Sequence, residues 1–453
     1  MASPAAVPSA IEDRHMTERD LRVLIISHGH PAFSMGGTEI ASYNLFKGLN
    51  ELPGYESYYL ARASSPGARH RQSGLMSLRR GAREILFNTQ AYDYFRLSNR
   101  NAKELTRDFV RFLTDLAPDL VHFHHFIGLG MESLYALRQA LPSIRIVITF
   151  HEFLSICHHH GQMVKTGSDR LCYRASPAEC AGCFPDLSPA QFYKRERFIK
   201  TFLELADLYV SPSRFLLDRF VAWGLPREKF RLIENGIDTT VIAPPRPLAE
   251  GGSGRRNCFA YFGQISAFKG LHVALDAVAR VPAETWGADA RFMVYGSNLE
   301  GQPQAFQTRF AELVESSGAR ARFYGAYRPS DLPRIMRNVD WVIVPSNWWE
   351  NSPVVIQEAY LHGRPVICSD IGGMAEKVRD GETGLHFRVG CVEDLVDRLT
   401  EALIMPDLWE RLRAGIPRPL SIAEVAQRHV QAYAELLPEA RAQAAPPPIR
   451  AAG

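Results

Sequence analysis

Two stretches of this chain begin alike, and the repetition limits the fold more than any other feature. The first is the apolar run LRVLIIS, then a loop holding Gly29, Gly36 and Gly37, then the periodic segment TEIASYNLFKGL. The second is NCFAYFG, then a loop holding Gly263 and Gly270, then LHVALDAVARV. A short apolar run feeding a glycine turn and an amphipathic helix is the opening of a doubly wound parallel sheet. Further apolar runs follow each opening: ESYYLAR, LVHFHH, RIVITFH, DLYVSPS and KFRLIEN after the first, RFMVYG, RFYGA, DWVIVPS, PVICSD and TGLHFRV after the second. Their alternation with helical stretches predicts parallel sheets covered on both faces. A chain of 453 residues also exceeds the usual size of one core.

The predicted fold class is therefore α/β, with two Rossmann-like doubly wound domains facing across a cleft. Residues 20–240 are expected to form the first and 257–420 the second, joined by a Pro- and Gly-rich linker over 241–256. The segment 421–437 (SIAEVAQRHVQAYAELL) has apolar positions at helical spacing and is read as a helix crossing back to the first domain. Residues 1–19 and 438–453 read as disordered tails, the second interrupted by prolines. In such folds ligands bind at the carboxyl ends of the strands, where loops and helix amino termini converge.

Composition narrows the function classes. Apolar residues make up 46% and charged residues 22%, an ordinary globular balance. A net charge of +3 gives no ground for a nucleic-acid partner. No apolar run reaches the roughly 18–20 residues that cross a bilayer. The amino terminus lacks the apolar core of a secretory signal, so the expected location is cytoplasmic, with peripheral contact at the inner membrane face as an extension. That extension comes from the segment Arg62 to Arg107, where basic residues crowd between Phe87, Tyr92, Tyr94 and Phe95. It reads either as a solvated face or as a patch for anionic lipid or an anionic acceptor.

The chemistry concentrates in SNWWENSPVVIQEAYLHGRPVICSD. The run DWVIVPS predicts a strand, Asn347 to Asn351 a loop, and Ser352 or Pro353 the start of a helix, Ser as N-cap and Pro in the first turn. Free amides near Asn351, Ser352, Val354 and Val355 then face the cleft with a partial positive charge suited to phosphate. Glu350 can accept hydrogen bonds from sugar hydroxyls, and Glu358, about two turns into the helix, from the diol of a ribose. In FGQISAFKG, Gly263 lets the backbone approach a ligand and Lys269 comes within reach of a diphosphate. In HGHPAFSMGGTE, Gly36 and Gly37 stand at a helix amino terminus that can sit under a phosphate or an acceptor. His151 ends RIVITFH, where a neutral imidazole can bond a sugar hydroxyl. Neither GxGxxG with a downstream acid nor GxxxxGK[ST] occurs, which disfavours nicotinamide and P-loop chemistry.

The run ENSPVVIQEA, together with FGQISAFKG, ENGID, VSPSRF and the amino-terminal GGTE, resembles the retaining glycosyltransferases of family 4, which have the GT-B fold. The resemblance covers nearly all of residues 20–437. It implies that Glu350 holds donor-sugar hydroxyls, Glu358 the nucleotide ribose, Lys269 the diphosphate, and that His151 sits by the reacting sugar. It further implies a UDP-, GDP- or ADP-type donor and a glycan or lipid-linked acceptor in cell-surface polysaccharide synthesis. The family commonly carries an arginine where this chain has Gln264, which can donate a hydrogen bond but brings no charge. No D-x-D motif occurs, so no catalytic metal is expected. The rival readings are a nucleotide-sugar epimerase or hydrolase on the same scaffold, and a nucleotide-sugar binding protein without catalysis.

One cluster stands apart from that chemistry. Cys157, Cys172, Cys180 and Cys183 fall close together in HEFLSICHHHGQMVKTGSDRLCYRASPAECAGC, beside His158, His159 and His160. A C-x2-C pair with two further cysteines reads as a structural zinc site, an iron–sulfur cluster, or free thiols.

Overall fold

The computed structural model describes residues 20–34, 36–63, 75–77, 83–89, 92–100, 102–168, 170–248 and 254–437. Both tails and much of the basic segment lie outside the described residues.

The first sheet contains β1 (Leu21–Ser27), β2 (Tyr55–Arg62), β3 (Leu75–Ser77), β4 (Glu84–Phe87), β5 (Leu120–Phe123), β6 (Arg145–Thr149), β7 (Leu208–Ser211) and β8 (Phe230–Leu232). Their order is β8-β7-β6-β5-β1-β2-β4-β3, parallel except for the β3–β4 pair. The second sheet contains β9 (Cys258–Gln264), β10 (Arg291–Ser297), β11 (Ala321–Gly325), β12 (Trp341–Val344), β13 (Val366–Ser369) and β14 (Gly384–Phe387), ordered β11-β10-β9-β12-β13-β14. The order reverses between β1 and β5 in one sheet and between β9 and β12 in the other. At such a reversal the loops leave in opposite directions and open a crevice.

Each central strand is apolar because both its faces are covered. In β1, Leu24 and Ile26 enter one core, while Val23 and Ile25 enter the core on the opposite face. In β9, Phe259 and Tyr261 face one way, Ala260 and Phe262 the other.

The last helix, Ile422–Ala434, opens with a capping box on Ser421 and packs on the first domain. Val425, Ala426, Val430 and Tyr433 join the β1 core there. Tyr433 Oη lies 2.7 Å from His122 Nδ1, and His122 Nε2 lies 2.7 Å from Thr149 Oγ1, which ties the helix to β5 and β6. The described ends of the 241–256 segment are fastened to the second domain. Buried Arg364 donates to the carbonyls of Ala243 (3.1 Å) and Pro244 (2.6 Å), and Arg246 pairs with buried Asp340 at 2.7 Å.

The aromatic residues of the basic segment do not form a common surface. Phe87 is buried in the core, and Phe95 packs against Phe192 and His158. Tyr94 is exposed. Among the described residues no helix is long and apolar enough to cross a membrane.

Candidate active site

The two reversal points face each other across a cleft of about 530 Å³, within the range of small-molecule sites. Its second-domain wall is built by two loops locked together. The loop after β9 places Phe268 O to accept from Asn347 N at 2.8 Å, and Gly270 lies against Pro345. Gly270 has φ +68°, and a Cβ there would come 1.8 Å from Pro345 O, so only glycine allows the approach. On its other side the Glu350 loop rests on Gly373, whose amide donates to Glu350 O at 2.6 Å.

This locking fixes a charged pair. Lys269 Nζ stands 2.6 Å from Glu350 Oε1, which also accepts from Ser346 Oγ (2.8 Å) and Trp348 Nε1 (2.9 Å). Lys269 further lies 5.3 Å from the centre of the Trp348 ring. Glu350 is only 8% exposed. Burial pushes its carboxyl up, but the Lys269 ammonium and the two neutral donors outweigh burial and hold it below the ordinary glutamate range. All three donors converge on Oε1, and Lys269 is the single lysine or arginine among the described residues of the cleft.

The neighbouring helix spans Val354–Leu361, with Pro353 as N-cap and no side-chain cap. The expectation that Ser352 caps it is therefore corrected: Ser352 Oγ is buried without a partner. Proline cannot donate and contributes no capping oxygen, so the first-turn amides stay open toward the cleft that Ser352, Val354 and Val355 line. Glu358 is the fifth residue of this helix, a little over one turn in rather than two. It lines the same cleft, and burial pushes its carboxyl up to about 7.

The first domain supplies the opposite wall. Gly36 is the extended N-cap of the helix Gly37–Asn50, and Gly37 faces open space in the cleft. His151 and Glu152 follow β6 into it. His151 Nε2 is 2.8 Å from His124 Nδ1, and the His28 and His125 rings stand 4.3 Å apart. Burial, reinforced by the neighbouring imidazoles, lowers His151 to about 3, so it is neutral at physiological pH. Burial pushes Glu152 up to about 7, and its carboxylate sits 3.3 Å from His125 Nε2. His151 therefore presents a neutral hydrogen-bonding group on this wall.

Several side chains join the walls in ways that sequence reading did not single out. Asn351 was read for its amide, yet its side chain donates to His151 O at 2.7 Å. Gln357 Nε2 donates to Asn235 O at 2.7 Å, within the ENGID turn. Glu376 accepts from the amides of Arg214 (2.8 Å) and Phe215 (2.7 Å), capping a first-domain helix from the second domain. Trp349 is buried in the first-domain core although it belongs to the second-domain loop. Only the adjacent tryptophans of NWWEN hinted at it, and a sequence does not show which surface a ring meets.

The sequence candidates thus divide. Gly37, His151, Gly263, Gln264, Lys269, Glu350, Asn351, Ser352, Val354, Val355 and Glu358 all line one cleft. Cys157, Cys172, Cys180 and Cys183 lie apart from it, around a small cavity of their own. Among the described residues no group of three or more His, Cys, Asp or Glu is arranged to hold a metal, and no disulfide joins these four.

Comparison with known proteins decides the family. The description Glycosyltransferase Family 4 matches residues 35–241, and Glycosyl transferases group 1 matches residues 256–404. The chain belongs to glycosyltransferase family 4. Its fold is GT-B. A curated relative, D-inositol 3-phosphate glycosyltransferase of Rhodococcus erythropolis, is 34% identical over 35% of this chain and 36% of its own length. The corresponding protein of Corynebacterium aurimucosum is 30% identical over 50% and 53%. The chain thus matches about a third to a half of the length of these curated relatives. Among solved structures, sucrose-phosphate synthase from Thermosynechococcus elongatus superposes with a TM-score of 0.68 at 19% identity, covering 92% of this chain and 99% of the other. Anabaena HepE in complex with UDP and glucose gives 0.61 at 17%, covering 92% and 100%.

The lock on the Glu350 loop makes one substitution informative. A Cβ on Gly373 would come 1.8 Å from Asn351 O. Gly373→Ala is expected to cost about 1–3 kcal/mol and to displace Glu350. Thermal unfolding and turnover measure the two effects, and unchanged values for both contradict the lock.

Proposed function

We propose that this protein transfers a sugar from a nucleoside-diphosphate sugar to a hydroxyl of a glycan or lipid-linked acceptor, with retention of configuration and without a catalytic metal. One observation carries the proposal: the pair of half-buried Lys269 and buried Glu350 stands beside an uncapped helix amino terminus, with Glu358 on the same helix. That is a cation and oriented dipoles for a diphosphate, flanked by carboxylates for hydroxyls. As the bond between the anomeric carbon and the β-phosphate oxygen breaks, charge grows on that phosphate. Lys269 and the helix amides are aimed at that charge and stabilise it. The acceptor oxygen bonds the same face of the anomeric carbon, and its proton passes to the departing phosphate oxygen. Neutral His151 orients hydroxyls without repelling the incipient positive charge on the sugar.

UDP appears with HepE and ADP with Arabidopsis thaliana starch synthase IV, so UDP- and ADP-sugars head the donor candidates, followed by GDP-sugars. The relatives' name also places a phosphorylated polyol among the acceptors to be tried. A cytoplasmic setting at the membrane face, in surface-polysaccharide assembly, accords with a lipid-linked acceptor.

The test is a thermal-shift screen of the three donor classes, followed by transfer assays. A donor at 100 times its dissociation constant adds about 2.7 kcal/mol to stability. Product formed from donor alone favours an epimerase or hydrolase. Binding without turnover across many acceptors favours a binding protein. The anomeric configuration of the product, read by NMR, tests retention.

Glu358 gives a second test. A ribose diol donates to a carboxylate, so donor affinity is expected to fall as pH drops through about 7. The sign for stability is opposite. A carboxyl raised in the folded state favours folding below its unfolded value, and that contribution is lost as pH rises through the folded one. Glu358→Gln is thus expected to raise Tm at pH 8, leave it unchanged at pH 4, and weaken donor binding at pH 8. A lower Tm at pH 8 contradicts it.

A further inference from the structure

The Cys-rich insertion has no core of its own. From Lys165 to Gln191 no described residue is fully buried, and the helix Pro177–Cys183 buries none of its residues. A loop-rich module of this kind, which leans on the first-domain core through Leu171, Cys172 and Ala175, is commonly held by a staple as well. Its backbone nevertheless folds tightly. Val164 bridges Leu171, Cys172 N donates to Met163 O at 2.7 Å, and Thr166 Oγ1 donates to Cys183 O at 2.6 Å. That folding brings Cys157, Cys172, Cys180 and Cys183 around one cavity of about 20 Å³, with His158 and His159 on its wall. The volume admits one water-sized occupant, yet water needs two to four good polar partners, which thiols do not supply. A thiophilic cation bound by thiolates suits the cavity better. His158 Nδ1 is buried without a partner at the same place.

The module touches both donor loops. Trp349, next to Glu350, donates through Nε1 to Cys172 O at 3.2 Å, and its ring lies 5.1 Å from that of Tyr173. The His159 ring lies 6.2 Å from Phe268, next to Lys269. Although the four thiols are not arranged to hold a metal in this structure, we infer that they close around one zinc ion when it is supplied, which shapes the insertion into a brace for the loops carrying Lys269 and Glu350. Zinc is a positioning element here, outside the reaction. The brace rests on the donor-site reading; the metal does not.

The experiment is elemental analysis and native mass spectrometry of the full-length protein, prepared without chelators in zinc-supplemented medium. One zinc per chain is expected. Cys180→Ser and Cys183→Ser each remove it, while Cys391→Ser, outside the cluster, retains it. Folded wild-type protein with less than about 0.2 zinc per chain overturns the site, as does a disulfide among the four. So does full reaction of the four thiols with a thiol reagent in protein that still carries its zinc. For the brace, stripping zinc with a chelator is expected to raise the dissociation constant at least tenfold for whichever of UDP, GDP and ADP the zinc-loaded protein binds. Equal affinity with and without zinc overturns the brace. If the zinc-loaded protein binds none of the three, the donor reading fails, and the metal analysis stands by itself.

Discussion

Lys269→Ala is expected to lower kcat/KM by about a thousandfold at unchanged fold. Losing a neutral oxyanion donor costs about a hundredfold to a thousandfold, and Lys269 is a charged one, the single lysine or arginine among the described cleft residues. Gln264, in the same cleft, brings no compensating charge. The loss should persist at saturating donor, because leaving-group charge is largest in the transition state. A second consequence distinguishes this role from simple donor binding. Without Lys269, the buried Glu350 carboxylate keeps only Ser346 and Trp348, and burial is then opposed by neutral donors alone. In the wild type, a carboxyl held low adds stability above its unfolded value, which is lost as pH falls through the folded one. In the variant the folded value moves toward the unfolded one, so that pH-dependent contribution should shrink, read as a shallower acid limb of the Tm profile. Near-normal turnover of purified Lys269→Ala at saturating donor would contradict the proposed mechanism.

Trp349→Ala is expected to cost about 3–5 kcal/mol, the usual range for truncating a buried tryptophan. The ring is 4% exposed and packs beside Phe215 at 5.2 Å, with the Arg219 guanidinium 4.9 Å from its centre. The residue belongs to the donor loop by sequence and to the first-domain core by packing. Its removal should therefore lower both Tm and kcat, since Glu350 follows it directly. Trp349→Phe keeps most of the apolar contact but loses the bond to Cys172 O. It should recover most of the stability and less of the turnover. A drop in Tm with full kcat in the surviving enzyme would show that the ring supports the fold without positioning Glu350.

How much of this was legible from the sequence depends on the range of the interaction. Strand runs such as LRVLIIS and NCFAYFG declared themselves because a strand covered on both faces must be apolar throughout. The Glu350 loop was legible because Ser, Pro, Glu and Asn are local signals for a helix start and a polar lining. The cap itself was misread. Ser352 and Pro353 both fit the first turn, and only the backbone path decides that Pro353 takes the N-cap position. Contacts across the cleft left no trace in the sequence. Glu376 on the Arg214 and Phe215 amides and Asn351 on His151 O join positions more than 150 residues apart. Either side chain reads locally as an ordinary exposed polar residue. The packing of Phe95 was hidden for the same reason: its ring meets Phe192 edge-on, far along the chain.

The return of the final helix to the β1 core has a consequence for biosynthesis. A nascent amino-terminal lobe presents an uncovered greasy bed until Val425, Val430 and Tyr433 have left the ribosome. Maturation of this half must wait for nearly the whole polypeptide, so a fragment ending at the interlobe segment should be insoluble, whereas supplying the missing helix in trans should rescue it.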